Sequence, residues 1–234
     1  MDRFRKALPK LSALYDRFVT DNPQNFFRDF PVRLSGVGSA TLAFYAEIER
    51  WLNYIPEAEW PYYTDKIGQR TLLYDLSRHR FWEQLHDTLN EARGALVLRR
   101  NFECEKIRFI RPNRGARPDL VGKRGSMIHY LEVKTINDSQ EERDSWYKEP
   151  PLTCTTSLTR ELKKKIEDTY RGAISQLTTP PDAQGARRIV LLILDADYTF
   201  DPIDGTVADA VREYLSLIER RDFEIICHVH SPWN

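Results

Sequence analysis

The sequence has few cysteines and no long run of apolar residues. Its three cysteines, Cys104, Cys154 and Cys227, lie far apart, are odd in number and form no C-x-x-C pair. This usage favours reduced thiols and argues against a structural zinc site. No apolar stretch reaches the length of a membrane span, and the N-terminal segment lacks the apolar core of a secretory signal. We therefore expect a cytoplasmic protein with no membrane association.

Several motifs that identify common enzyme classes are also absent. The chain contains no G-x-x-x-x-G-K-[ST], G-x-S-x-G or H-E-x-x-H sequence, which removes the standard NTPase, serine-hydrolase and zincin interpretations. Net charge is absent too, since 35 Lys and Arg balance 35 Asp and Glu. The charge of the whole molecule therefore gives no reason to expect nucleic acid. The 234 residues, 41% hydrophobic and 30% charged, are enough for a proper core.

Charge is unevenly distributed along the chain. From Arg93 to Arg124 there are ten Lys and Arg against three Asp and Glu. A second basic cluster, from Arg160 to Lys165, opens a later helical segment. Such clusters are either solvated faces or surfaces for a polyanion, and both interpretations stay open at this point.

The first roughly 95 residues have apolar residues at helical spacing. A third helix is predicted from Lys66 or Arg70 towards Leu98. The aromatic interval Trp51 to Tyr63 could stack on bases, but packing in the core or between helices is the favoured interpretation, since the interval also carries Pro56, Glu57 and Glu59. We interpret residues 1–65 as a helical extension and residues 66–234 as a second domain.

From Phe102 the pattern changes to strands. The segments FECEKIRFI, PDLVGKR and MIHYLEVKT, separated by turn signals, predict a three-stranded meander. A polar insert, 137–156, follows, and Ser157 is predicted to cap the next helix. RRIVLLILDAD is typical of a central parallel strand, and a further helix and the strand FEIICHVHS close the chain. The predicted order from Lys66 is α-β-β-β-α-β-α-β, which indicates an α/β fold.

Three ionisable residues lie on two of these strands. Asp119 follows Pro118, and Glu132 and Lys134 are two residues apart, so the period of a strand places both on one face. Asp119 precedes Glu132 by thirteen residues across a tight turn. Adjacent antiparallel strands can therefore bring both acids to one end of the sheet. Hydrolysis of a phosphodiester uses such a set, because Mg²⁺ is held by one or two carboxylates and a lysine can act on the attacking water.

RPDLVG…LEVKT resembles the catalytic motif of the PD-(D/E)XK nuclease superfamily, the restriction-endonuclease-like fold. Pro118-Asp119 corresponds to the PD element and Glu132-Val133-Lys134 to the (D/E)XK element. The resemblance implies an αβββαβ core, with a mixed sheet flanked by helices, over roughly residues 66–200. It also implies that Asp119, Glu132 and the Val133 carbonyl bind the metal and that Lys134 acts on the water.

The same resemblance implies further site residues. A glutamate on the helix before the first strand would be Glu83, with Glu91 as the other candidate. A Lys or Gln on the helix after the motif would be Lys165 or Gln176, which are eleven apart and so differ by only about 20° around a helix. We select Gln176 as catalytic and Lys165 as nucleic-acid-binding. The other basic residues expected to contact nucleic acid are Arg114, Arg117 and Lys123.

The tripeptide alone is a weak signal, since Glu161-Leu162-Lys163 repeats it on a predicted helix without an upstream PD. The expected activity is Mg²⁺-dependent hydrolysis of phosphodiester bonds, with Mn²⁺ as a substitute metal, by an endonuclease acting on DNA. A restriction or defence role is an analogy from the fold. The alternatives are an RNA-directed or repair nuclease and a non-catalytic nucleic-acid-binding or partner-binding module. A homodimer is left open. The purely structural interpretation is an ordinary salt bridge between Lys134 and either acid at an exposed end of the sheet.

Overall fold

The structure is a computed structural model, and it describes residues 2–32, 39–72, 83–111, 117–137, 158–179, 185–195, 206–218 and 222–230. The chain divides into two compact units, the first ending at Leu96 and the second beginning at Val97. The predicted boundary after residue 65 lies earlier in the chain. Within the described ranges, no helix is both long enough and apolar enough to cross a membrane.

The first unit is helical, as predicted. Its helices are α1 (Asp2–Ala7), α2 (Pro9–Phe18), α3 (Ser39–Leu52), α4 (Trp60–Gly68) and most of α5 (Glu83–Arg100). The backbone N–H groups at the start of α2 have no side-chain cap from their own segment. Glu49 of α3 caps this helix instead. Its two oxygens accept the N–H groups of Lys10 at 2.9 Å and Leu11 at 2.8 Å. A carboxylate at a helix N-terminus also interacts favourably with the helix dipole.

Two expectations for this unit are settled by the described residues. The aromatic interval packs: Trp51 is 2% exposed, and Tyr63 is fully buried with its hydroxyl donating to the Thr88 carbonyl at 2.8 Å. The predicted start of the third helix at Lys66 or Arg70 is wrong. The helix α4 ends at Gly68, and a turn continues to Leu72. Apolar spacing continued through this region, but it does not show where the backbone leaves the helix.

The second unit contains a five-stranded mixed sheet, which makes the fold α/β. Its strands are β1 (Lys106–Phe109), β2 (Leu120–Arg124), β3 (Met127–Ile136), β4 (Arg187–Asp195) and β5 (Glu224–His230), in that spatial order. The first three strands pair antiparallel as the predicted meander. The strands β3, β4 and β5 run parallel. As expected for a central strand, residues 189–194 of β4 are at most 1% exposed.

Two helices connect the parallel strands. The helix α6 (Arg160–Thr178) leads from β3 to β4, and α7 (Thr206–Ile218) leads from β4 to β5. Both pack on the side of the sheet that carries Tyr130, Val190 and Leu192, which we call the α6 face. The buried residues of α6 are Ile166, Tyr170, Ala173, Ile174 and Leu177, and they confirm its predicted apolar stripe.

Some predicted element ends are corrected by the structure. Ser157 lies outside the described residues, and the residue that caps α6 is Thr159, whose hydroxyl accepts the Leu162 N–H at 3.1 Å. The strand β1 is also shorter than FECEKIRFI. Glu103 has a φ of 53°, a left-handed conformation that does not continue a strand. The polar insert is described only at Asn137, so its predicted role lies outside the described residues.

Candidate active site

The pairing of β2 with β3 brings Asp119 opposite Glu132. Leu120 pairs with Leu131 in the antiparallel register, so the residue before Leu120 lies across from the residue after Leu131. The Asp119 carbonyl accepts the Ile110 N–H at 2.8 Å, which continues the ladder from β1 beyond its assigned end. Side chains opposite each other on antiparallel strands have Cβ atoms about 4.5–5.5 Å apart and point to the same face. Both acids therefore lie on the α6 face, as the motif spacing predicts.

A backbone hydrogen bond fixes the Asp119 side chain. Its Oδ2 accepts the N–H of Val133 at 2.9 Å. Because a residue in an antiparallel ladder directs its N–H and C=O towards the same neighbouring strand, the Val133 carbonyl is also on the Asp119 side of β3. The second oxygen of Asp119, Oδ1, does not take part in this bond. Three of the predicted metal-site groups are therefore gathered at one place in the sheet.

The Glu132 side chain is buried, while Lys134 reaches solvent. Glu132 is 0% exposed, and its Oε1 lies 2.5 Å from the Lys134 Nζ. The Lys134 side chain is 29% exposed. Within the described residues, neither oxygen of Glu132 accepts a hydrogen bond of ordinary geometry, and the contact of Oε1 with Lys134 is an ion pair. The predicted ion pair is thus present, but on a buried carboxylate rather than at an exposed end of the sheet.

Burial changes the acidity of Glu132. Removal from water is the largest cause, and the nearby Asp119 carboxylate adds to it, so the pKa of Glu132 rises to about 8 from its ordinary 4.5. The Lys134 ammonium acts in the opposite direction and does not cancel the rise. Asp119 is near enough to serve as a hydrogen-bond partner for the protonated form of Glu132. Without a cation, Glu132 therefore favours its protonated form at neutral pH.

The helix α6 contacts both sides of this site through the two residues selected from the sequence. Lys165 donates to the carbonyl of Asn137, directly after β3. Gln176 donates through Nε2 to the carbonyl of Arg117 at 3.1 Å, two residues before Asp119. Both predicted residues thus bind backbone next to the motif strands. Both hydrogen bonds hold the strand ends in place.

The remaining predicted residues are distributed as follows. Glu83 is the first residue of α5 in the first unit. Glu91, the other helical candidate, accepts the Lys66 ammonium on both oxygens at 2.7 and 2.5 Å. Arg117 and Lys123 are exposed, and Arg114 lies outside the described residues.

Two further basic residues lie on β1. Lys106 and Arg108 are exposed on β1, whereas their neighbours Ile107 and Phe109 are buried. The alternation in KIRF was the available signal, because it places both cations on one face. The face itself could not be assigned without the strand pairing.

In the ranges that the structure describes, no group of three or more His, Cys, Asp or Glu side chains is placed to hold a metal ion. The site described above contributes two carboxylates. In comparisons with known proteins, no family model, no curated protein and no solved structure matched this chain.

Proposed function

We propose that this chain is a metal-dependent nuclease of the PD-(D/E)XK type, acting on DNA as an endonuclease. The observation that carries the proposal is the convergence of Asp119, Glu132 and Lys134 on one face of two paired strands, with Glu132 buried. A buried carboxylate whose second oxygen has no donor is costly unless a proton or a cation compensates it. An ordinary structural salt bridge does not require a second carboxylate beside it.

The donor set fits a small divalent cation. Mg²⁺ takes oxygen ligands and is often bound by one or two carboxylates together with waters and substrate phosphate. Asp119 Oδ1 and Glu132 Oε2 are the side-chain oxygens left by the hydrogen bond and the ion pair, and the Val133 carbonyl is the third group. When bound, the cation would favour ionisation of a water and offset charge on the phosphate.

Lys134 supplies positive charge at the solvent side of the pair. Its ammonium is anchored by Glu132 and partly exposed, so it can donate a hydrogen bond to a water or a phosphate oxygen arriving from solvent. Hydrolysis adds the oxygen of water to phosphorus, breaks the bond to the leaving oxygen and places negative charge on the phosphate in between. A fixed ammonium stabilises that charge and can orient the attacking water.

The proposal of a nucleic-acid substrate rests on the motif residues and on nearby basic residues, not on the net charge of the chain. The basic residues expected to contact the backbone, Arg117 and Lys123 among them, belong to the same unit as the three motif residues. The role of Glu83 at the site and the preference for DNA over RNA are proposed from the family resemblance alone.

Cleavage of closed-circular plasmid, single-stranded DNA and RNA in Mg²⁺, Mn²⁺ or EDTA tests the proposal. We expect nicking of the plasmid with either metal and none in EDTA. Glu132→Ala and Lys134→Ala should each lower the rate by about 10²–10⁴-fold, the usual effect of removing such a group.

The chain supplies a matched control for that experiment. Glu161→Ala removes the same residue type from the second Glu-x-Lys tripeptide, which lies on the exposed start of α6. Its cleavage rate should stay at the wild-type level. Cleavage that persists in EDTA, or in both motif variants, would refute the assignment. Binding to nucleic acid without cleavage under every condition would instead favour a non-catalytic module.

A further inference from the structure

Three exposed cations lie on the same face of the sheet as the proposed active site. Lys106 pairs with Lys123 and Arg108 pairs with Val121 in the register of β1 with β2. Val121 in turn pairs with Tyr130, and Asp119 follows the same alternation two residues earlier. Residues paired across strands share a face, so Lys106, Arg108 and Lys123, here called the basic strip, lie on the α6 face.

No acid among the described residues pairs with the basic strip. Within the described residues, none of its three side chains forms an ion pair or a side-chain hydrogen bond, whereas the neighbouring Arg124 lies 2.5 Å from Glu103. Glu105 alternates with Lys106 and so belongs to the opposite face. Lys106 and Lys123 are directly opposed, an arrangement of like charges that destabilises a sheet. The strip therefore carries three positive charges that an external anion can compensate.

The strip also leads towards the carboxylates. Its members occupy two successive rows along β2, the row of Val121 and the row of Lys123. At about 3.3 Å per residue, these rows lie roughly 7 and 13 Å from Asp119 along the strand. The helix α6 covers β3 and β4, and the strip on β1 and β2 is exposed. A linear polyanion with one phosphate at the carboxylates can therefore extend over both rows.

We propose that the basic strip binds the phosphates of the substrate strand on one side of the scissile phosphodiester. This inference rests on the proposed nuclease function and gives it a direction, since the strand would run from the carboxylates along β2. Lys106 and Lys123 would each contact a phosphate in the row farther from the site, and Arg108 would contact a third phosphate nearer the site. Contacts of this kind position the duplex without reading its sequence.

Salt-dependent binding tests the strip without cleavage. Binding of a labelled DNA duplex would be followed by fluorescence anisotropy in EDTA over a range of salt concentrations. Each phosphate contact contributes about 0.9 to the slope of log affinity against log salt. Changing all three residues to Gln should therefore reduce the slope by about 2.7. A fourfold rise in salt should then weaken the wild type about 40-fold more than this variant.

Two controls separate the charge of the strip from its shape and from total charge. The variant Lys106→Arg, Arg108→Lys, Lys123→Arg keeps the charge and should retain the wild-type slope. Arg171→Gln with Arg212→Gln removes exposed cations of α6 and α7 that pair with Glu167 and Asp209, and it should change the slope by much less.

Cleavage by the same proteins distinguishes failure of the strip from failure of the nuclease proposal. If the wild type cuts DNA and the Gln variant keeps both the wild-type slope and the wild-type KM, the strip is overturned and the nuclease proposal stands. If no protein cuts, yet the slope falls in the Gln variant alone, the nuclease proposal fails and the strip remains a nucleic-acid surface. A raised KM with little change in kcat supports both.

Discussion

At the scale of single residues, the surroundings of Glu132 give the strongest support for the proposed cation site. It lies on the face of β3 that also carries Tyr130 and Lys134, with Val190 paired beside it on β4. Its carboxylate is buried against one ammonium and one like-charged neighbour. Such a group is more stable protonated or bound to a cation than ionised alone.

The stability of the metal-free protein should therefore depend on pH through Glu132. Its pKa is about 8 in the folded protein and 4.5 ordinarily, so between these values the folded state holds a proton that the unfolded chain has released. Raising the pH through this window favours unfolding by up to about 1.4 kcal/mol per pH unit. Below about pH 4.5 the contribution is fully present, and above about pH 8 it is lost.

Chemical denaturation of wild type and Glu132→Gln at several pH values measures this contribution. The glutamine keeps the shape and does not titrate, so its free energy of unfolding should fall less steeply from pH 5 to pH 8. Glu213→Gln, at an exposed position on α7, is the control and should follow the wild type. Parallel curves for Glu132→Gln and wild type would show that the pKa of Glu132 is not raised in the folded protein.

At the scale of elements, the site depends on close packing beneath β2. Gly122 pairs with His129 on β3 and faces the sheet side opposite the acids. A Cβ added there would lie 2.7 Å from Cys104 Sγ and 3.2 Å from Leu98 Cδ2. Gly122 is thus required by space, since its φ is not in the left-handed region. The close approach holds the strand that leads to Asp119.

We expect Gly122→Ala to destabilise the protein by about 1–3 kcal/mol, the usual cost of overpacking. Gly172→Ala is a matched change in α6, where the added methyl group meets no atom within 4 Å. It should stabilise the protein by about 0.5–1 kcal/mol, because alanine favours the helix. Thermal or urea unfolding of the two variants gives both signs. Equal effects would mean that the contact with Cys104 relaxes freely.

Element order was well predicted from the sequence, and element ends were not. The segments FECEKIRFI, PDLVGKR and MIHYLEVKT, separated by turn signals, predicted the meander, and the continuous apolar run in RRIVLLILDAD predicted a central parallel strand buried on both faces. The left-handed Glu103 and the cap at Thr159 depend on single backbone conformations that periodicity does not report.

The candidate site was predictable to a similar extent. The spacing of Asp119, Glu132 and Lys134 indicated a shared face, and the register agrees. Neither the burial of Glu132 nor the bond from Val133 to Asp119 could be inferred, since both depend on how α6 and the strand ends pack. The role of Gln176 at the Arg117 carbonyl likewise needed coordinates.

At the scale of the whole molecule, zero net charge conceals a local arrangement. The acids of the site and the cations of the basic strip share one face of one sheet in the second unit. A local array of this kind can bind a polyanion even when the total charge does not attract one. At ordinary salt, interactions between exposed charges are screened beyond about 8–10 Å, so nearby charges matter more than the total.

Titration with Mn²⁺, with the free ion followed by electron paramagnetic resonance, tests the central claim most directly. The wild type should remove Mn²⁺ from solution, and Asp119→Asn and Glu132→Gln should each weaken that binding at least tenfold. Asp168→Asn, an exposed acid on α6, should bind as the wild type does. Equal Mn²⁺ binding by all four proteins, or no binding by the wild type at millimolar metal, would contradict a cation site formed by Asp119 and Glu132.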